Sequence, residues 1–174
     1  GEVNRLIPNK PIRFVVTTHH HWDHLGGLRA YVHEGATVIT HEGNKPYYQE
    51  ILRAGPWVLE PDRFSLHPPE EWSEGYIFET LNEKYVLGDH TRTVELYNVQ
   101  GLAHAAGMLI AYIPSEKIVV QADLYFPEAP TPNASARTFH QNLQRLDLDV
   151  ETIVGIHGSP APMSEFVEFV DVGE

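Results

Sequence analysis

Short apolar runs alternate along this chain with segments whose apolar residues recur at helical spacing. The first run, residues 12–18, contains the β-formers Phe14, Val15 and Val16, and residues 25–33 follow it as a predicted helix. The same patterns predict strands at 36–40, 76–81, 84–87, 94–99, 108–113, 117–122 and 151–156, and helices at 43–54, 138–146 and 164–170. Such alternation predicts an α/β domain of packed layers.

Prolines and polar clusters predict how these elements are connected. Pro46 is expected in the first turn of its helix, where a missing N–H is tolerated, and Ser164 is expected to cap the last helix. Residues 55–75 hold four prolines and two tryptophans, which is typical of a long loop. This loop either covers a site as a lid or packs on the surface.

Composition narrows the classes of function. The 174 residues fit one domain, so we assign 1–174 to a single domain. A net charge of −12 disfavours nucleic acid and anionic membranes as partners, and no apolar run approaches the roughly 20 residues of a membrane span. The absence of cysteine excludes disulfides and thiolate chemistry. We expect a soluble protein, cytoplasmic or periplasmic, that acts on a small molecule.

Residues 17–27, T-T-H-H-H-W-D-H-L-G-G, carry a dense set of metal-ligating residue types just where the first predicted strand ends. Alternate residues of an extended segment face the same side, so His19 and His21 share one side. Asp23 and His24 lie in the turn into the helix and can face a second, neighbouring position. Because imidazole and carboxylate are ligands for divalent metals, this one segment can serve two ions.

Three further residues of ligand type follow predicted strands. His104 comes after residues 94–99, Asp123 directly after 117–122, and His157 directly after 151–156. Open α/β sheets place their sites beyond the carboxyl ends of strands. We therefore expect these three side chains to meet the histidine-rich segment.

In the order and spacing of these motifs the sequence resembles the metallo-β-lactamase superfamily of metallohydrolases. The resemblance implies a four-layered αββα sandwich with the site at one edge of the sheets. It also implies two metal positions joined by a shared carboxylate. The implied ligands are His19, His21 and His104 for the first metal, Asp23, His24 and His157 for the second, and Asp123 as the bridge.

The reaction implied by the resemblance is hydrolysis of an ester, lactone, thioester or amide by a metal-bound hydroxide. Two zinc ions per chain are expected, with iron or manganese as the alternative metals. Asp23 would orient the nucleophile and move a proton. Tyr125, two residues past Asp123, is a candidate oxyanion donor, and packing in the core is its alternative role.

Two other functions stay open at this point. One is a mononuclear iron dioxygenase of the same fold, similar to persulfide dioxygenases, which would contain iron and consume oxygen. The other is a fragment that keeps the fold and binds no metal tightly. In this superfamily several strands and at least one helix normally precede the first motif, whereas 18 residues precede it here. We therefore expect an N-terminally truncated member with N-terminal strands missing, whose exposed sheet is covered by a second copy or by a separate N-terminal segment.

Overall fold

The computed structural model describes residues 2–53, 63–66 and 78–171, which form two β-sheets with helices on their outer faces. The strands are β1 Phe14–Val16, β2 Thr37–His41, β3 Phe78–Leu81, β4 Lys84–Gly88, β5 Thr93–Asn98, β6 Leu109–Ile113, β7 Ile118–Gln121, β8 Thr152–Gly155 and β9 Ala161–Pro162. The helices are α1 Glu2–Leu6, α2 Trp22–Leu25, α3 Leu28–His33, α4 Lys45–Arg53, α5 Arg63–Leu66, α6 Ala134–Arg145 and α7 Met163–Asp171, with a 3₁₀ turn at Glu42–Asn44.

The two sheets differ in how their strands pair. The first sheet has the order β1-β2-β3 and is parallel, and the second has the order β4-β5-β6-β7-β8-β9. The second sheet is antiparallel except between β7 and β8, which run parallel with Gln121 opposite Gly155. Because β7 and β8 run in the same direction, the chain leaves both strands at the same edge of the sheet.

Three apolar clusters define the layers. Ile39 of β2 packs with Leu96 and Leu109 of the second sheet, so this cluster lies between the sheets. Val38, the next residue along β2, points to the opposite face and packs under α3 and α4. Helices α6 and α7 cover the other face of the second sheet, where Phe139 and Phe166 are fully buried. The order of layers is helix, sheet, sheet, helix, which confirms the predicted fold class.

The sequence patterns predict the positions of the strands more accurately than those of the helices. The strand predicted at 12–18 shortens to Phe14–Val16. The helix predicted at 25–33 begins at Leu28 as α3 and is divided from the short helix α2, which ends at Leu25. The division falls at Gly26 and Gly27, which weaken a continuous helix. The prediction that Ser164 caps the last helix is wrong. Helix α7 begins at Met163, directly after β9, so Ser164 already lies in its first turn.

Several expectations stay untested. Of the loop predicted at 55–75, only residues 63–66 lie within the described residues, where they form α5, so the lid stays a prediction. The edge strands β1 and β4 expose Phe14 and Val86, and their coverage by a second copy or another segment also stays a prediction. Among the described residues, no helix combines the length and the apolar character needed to cross a membrane.

Candidate metal centre

The histidine-rich segment connects the two sheets. The N–H of Thr17 donates to the carbonyl of Ile39 on β2 at 3.0 Å, which continues the pairing of the first sheet. The carbonyl of Thr18 accepts from the N–H of Leu109 on β6, in the second sheet, at 2.8 Å. The chain thus crosses from one sheet to the other immediately before His19, whose side chain is fully buried.

A change of backbone conformation then separates the ligands of this segment. His21 is extended, with φ −68° and ψ 146°, and stands at the N-cap of α2. Asp23 and His24 lie in the single turn of α2, and the N–H of His24 donates to the carbonyl of His21 at 3.1 Å. His19 and His21 therefore come from extended chain, whereas Asp23 and His24 come from helix.

The other three predicted ligands come from the second sheet. His104 lies in the loop between β5 and β6, and Asp123 and His157 each follow a strand by two residues. Since β7 and β8 are parallel neighbours, Asp123 and His157 leave the sheet at the same edge. Asp123 has a φ of 61°, a left-handed conformation that aspartate adopts more readily than most residues.

All seven predicted metal ligands converge, and they do so as two adjacent groups. Within each group, one ligand atom from every residue lies within 4.8 Å of the others. The division is the one implied by the resemblance. The first group is His19, His21, His104 and Asp123, and the second is Asp23, His24 and His157.

The carboxylate of Asp123 contacts both groups. Its Oδ2 lies 3.2 Å from His19 Nε2 and 3.3 Å from His104 Nε2, both in the first group. The same oxygen lies 3.0 Å from His24 Nε2, and Oδ1 lies 3.5 Å from His157 Nε2, both in the second group. Asp123 therefore occupies the position of a bridge.

The protonation states suit metal binding. Burial disfavours the imidazolium form of His19, and the neighbouring His24 adds to this, so that its pKa falls to about 4 despite the attraction of Asp123. Burial opposes ionisation of Asp23, but its own backbone N–H and the nearby His24 and His157 outweigh that effect and lower its pKa. His19 is thus neutral and Asp23 is ionised at neutral pH, which are their ligating forms.

One buried nitrogen of this centre makes no hydrogen bond to any described residue. His104 Nε2 is buried and makes no hydrogen bond within the described residues, because its approach to Asp123 lacks hydrogen-bonding geometry. A buried, unpaired imidazole nitrogen is costly unless something else meets its lone pair. The donor set of five imidazoles and two carboxylates fits divalent cations, and it suits zinc, iron and manganese alike.

Tyr125 belongs to the apolar cluster that α6 and α7 form with the second sheet. Its side chain is 3% exposed, and its ring lies 4.6 Å from that of Phe166 and 5.3 Å from that of Phe169. Burial raises the pKa of its hydroxyl. Its ring therefore has the packing role, and donation to a substrate oxyanion stays a prediction.

Residues that hold the ligands in place were not identified from the sequence. Thr18 Oγ1 lies 3.2 Å from His19 Nδ1, which orients the ring. Asn44 Nδ2 donates to the carbonyls of Ala106 and Gly107 at 3.2 and 3.1 Å, and so braces the loop that carries His104. Asn44 lies about 60 residues before that loop in sequence, and no motif marks it.

Residues 2–157 match the protein family described as the metallo-beta-lactamase superfamily. No curated protein sequence matches the chain significantly.

Among solved structures, a metallo-beta-lactamase from Pontibacter korlensis superposes with a TM-score of 0.69 at 19% identity, covering 98% of this chain and 73% of its own. The rubredoxin oxygen:oxidoreductase from Desulfovibrio gigas gives a TM-score of 0.70 at 14% identity, over 97% of this chain and 46% of its own. A stereoselective inverting sec-alkylsulfatase from a Pseudomonas species gives 0.59 at 16% identity, over 95% of this chain and 33% of its own. The chain thus spans less than half of the last two proteins, and at these identities the likeness concerns the fold.

Proposed function

Since this chain belongs to the metallo-β-lactamase superfamily, we propose that it is a metal-dependent hydrolase with two zinc ions, acting on an ester, lactone, thioester or amide. The observation that carries the proposal is the division of seven ligands into two groups that share the carboxylate of Asp123. A single metal would need only one of these groups.

Each residue has a defined part in this proposal. When bound, two divalent ions would supply Lewis acidity and a hydroxide nucleophile at neutral pH. His19, His21 and His104 would hold one ion and Asp23, His24 and His157 the other, with Asp123 between them. The ionised carboxylate of Asp23 would accept a hydrogen bond from the nucleophile and take up its proton.

The exposure of the ligands indicates the side from which a substrate approaches. The side chain of His19 is fully buried, whereas those of Asp23 and His157 are 37% and 45% exposed. Asp23 and His157 therefore lie at the solvent side of the centre, whereas His19 and His24 lie at its buried side. We expect a substrate to enter from the side of Asp23 and His157.

Oxygen chemistry is the second candidate. The structural likeness to an oxidoreductase, the rubredoxin oxygen:oxidoreductase from Desulfovibrio gigas, favours it, because the same fold there serves a redox protein. A mononuclear iron dioxygenase would nevertheless leave one of the two ligand groups without a metal. The paired groups are better matched by a dinuclear hydrolase.

The test is metal content by elemental analysis of protein purified without chelator, together with a screen of ester, lactone, thioester and amide substrates and an oxygen electrode. Asp123→Ala is the test variant, and Asp147→Ala is its control, since Asp147 is an exposed aspartate that also has a positive φ, 52°, but belongs to neither ligand group. We expect two zinc ions in the wild type and the control, fewer in Asp123→Ala, and hydrolysis without oxygen uptake. A single iron with oxygen consumption would overturn the proposal in favour of a dioxygenase, and no metal would overturn both.

A further inference from the structure

Gln121 is a buried amide at the end of an apolar strand. It follows Ile118, Val119 and Val120 in β7 and is 1% exposed. A buried amide without partners would be strongly unfavourable, so its contacts account for its presence. All its side-chain hydrogen bonds within the described residues go to the turn that contains Asp123.

These hydrogen bonds close the turn around the bridging carboxylate. Gln121 Oε1 accepts from the N–H of Leu124 at 2.9 Å and from the N–H of Tyr125 at 3.3 Å. Gln121 Nε2 donates to the carbonyl of Tyr125 at 2.8 Å. Asp123 lies inside this closed turn in its left-handed conformation, which needs support from its surroundings. The amide thus stabilises the backbone from which the Asp123 side chain reaches both ligand groups.

The same residue contacts the turn that carries His157. The carbonyl of Gln121 accepts from the N–H of Ile156 at 2.9 Å. A Cβ added to Gly155 would lie 3.2 Å from Gln121 Nε2 and would overlap the carbonyl oxygen of His157. Gln121 therefore lies between the two turns that deliver Asp123 and His157.

We propose that Gln121 is a positioning residue for the metal centre, because its amide holds the turn of residues 122–125 so that Asp123 meets both ligand groups. This inference rests on the proposed dinuclear centre, and it concerns metal affinity rather than the substrate. A residue of purely structural importance would stabilise the fold without changing how the folded protein binds metal. Removal of the amide should weaken metal binding in the folded protein.

The chain offers a matched control in Asn142. This residue is also a buried amide, and it makes a comparable set of bonds within and beside α6. Its Oδ1 accepts from the N–H of Gln100 at 2.9 Å, and its Nδ2 donates to the carbonyls of Gln100 and Thr138 at 2.9 and 2.8 Å. Asn142 belongs to neither ligand group. Asn142→Leu therefore removes a similar buried amide without touching the turn at Asp123.

The experiment is titration of the metal-free full chain with Co²⁺, with a chelator competition for Zn²⁺, in the wild type, Gln121→Met and Asn142→Leu. Absorption in the visible range reports Co²⁺ coordination, and thermal unfolding of the metal-free proteins reports stability. In Gln121→Met we expect a loss of about 10- to 100-fold in affinity for at least one equivalent, the range seen when a residue behind a ligand is changed. Asn142 holds Gln100, four residues before His104 in the same loop, so Asn142→Leu should lower the unfolding temperature and weaken metal binding less than Gln121→Met does.

Gln121→Glu serves as the second variant. It replaces the donor Nε2 by a second oxygen facing the carbonyl of Tyr125, so attraction at this contact becomes repulsion between two acceptors. We expect a loss of affinity at least as large as in Gln121→Met. Wild-type affinities in Gln121→Met or in Gln121→Glu, or an equal loss in Asn142→Leu, would each overturn the positioning role. A wild type that binds fewer than two ions would instead overturn the dinuclear proposal itself, and the inference with it.

Discussion

Replacing Gly107 by alanine should destabilise the protein more than the same change at Gly101, although both glycines have positive φ. The two residues flank His104, with φ of 67° at Gly107 and 73° at Gly101. A Cβ at Gly107 would lie 2.6 Å from Cγ and Nδ1 of the His41 ring, whereas a Cβ at Gly101 would meet nothing within 4 Å. Comparing the two variants therefore separates the free energy lost to a strained backbone from that lost to a steric clash.

The magnitudes follow from these contacts. A left-handed alanine costs about 1–2 kcal/mol, which is the whole effect expected at Gly101. Forcing an extra methyl group into a packed region adds about 1–3 kcal/mol, so Gly107→Ala should cost about 2–5 kcal/mol. For a chain of this size each kcal/mol lowers the unfolding temperature by about 2–4 °C. The difference between the two variants is then about 2–12 °C.

Differential scanning calorimetry of the metal-free proteins measures this difference, and His41→Ala supplies the control. Because His41→Ala removes the ring that the new methyl group would meet, the double variant Gly107→Ala/His41→Ala should lose less stability than the sum of the single variants. Equal unfolding temperatures for Gly101→Ala and Gly107→Ala, or additive losses in the double variant, would refute the reasoning.

Three other predictions test the centre and the core. Burial lowers the pKa of His19 to about 4 in the folded, metal-free protein. Between about pH 6.5 and about pH 4 the unfolded chain is therefore protonated at His19, whereas the folded protein is not. The free energy of unfolding, measured with urea, should therefore fall as pH falls, by about 2 kcal/mol at pH 5. His19→Gln should make this pH dependence shallower, and an equally steep dependence in that variant would contradict the lowered pKa of His19. Gly155→Ala places a methyl group against the carbonyl of His157 and should lower metal content in elemental analysis, whereas Gly35→Ala, which has open space, should not. Phe139→Ala removes a fully buried ring and should cost about 3–5 kcal/mol in urea unfolding with unchanged metal content per folded molecule, and a loss of metal would show that the core and the centre are coupled.

The sequence was informative about the ligands because their chemistry is local. His19, His21, Asp23 and His24 lie within six residues, so extended and helical geometry alone divides them between two positions. His104, Asp123 and His157 could be proposed because each follows an apolar run, and such runs end at the edge of a sheet. The shared edge of β7 and β8 then follows from their parallel pairing.

The residues that support the ligands could not be predicted in the same way. The role of Gln121 depends on the shape of the turn that follows it, which only the folded backbone defines. In the sequence, Gln121 is one polar residue at the end of a strand. The placement of Tyr125 depends on Phe166 and Phe169, about 40 residues further along the chain. Long-range packing of this kind leaves no periodic signal near the residue itself.

The crossing of the chain at Thr17 and Thr18 has a thermodynamic consequence. Each ligand group contains side chains from the half of the chain around the first sheet and from the half around the second, so neither group is complete unless the halves are docked. An ion with affinity only for the docked arrangement stabilises it by about 2.7 kcal/mol at a free concentration of 100 times Kd. Metal binding and the docking of the two sheets are therefore linked equilibria, and cations at the centre would make the two halves unfold as a single cooperative unit.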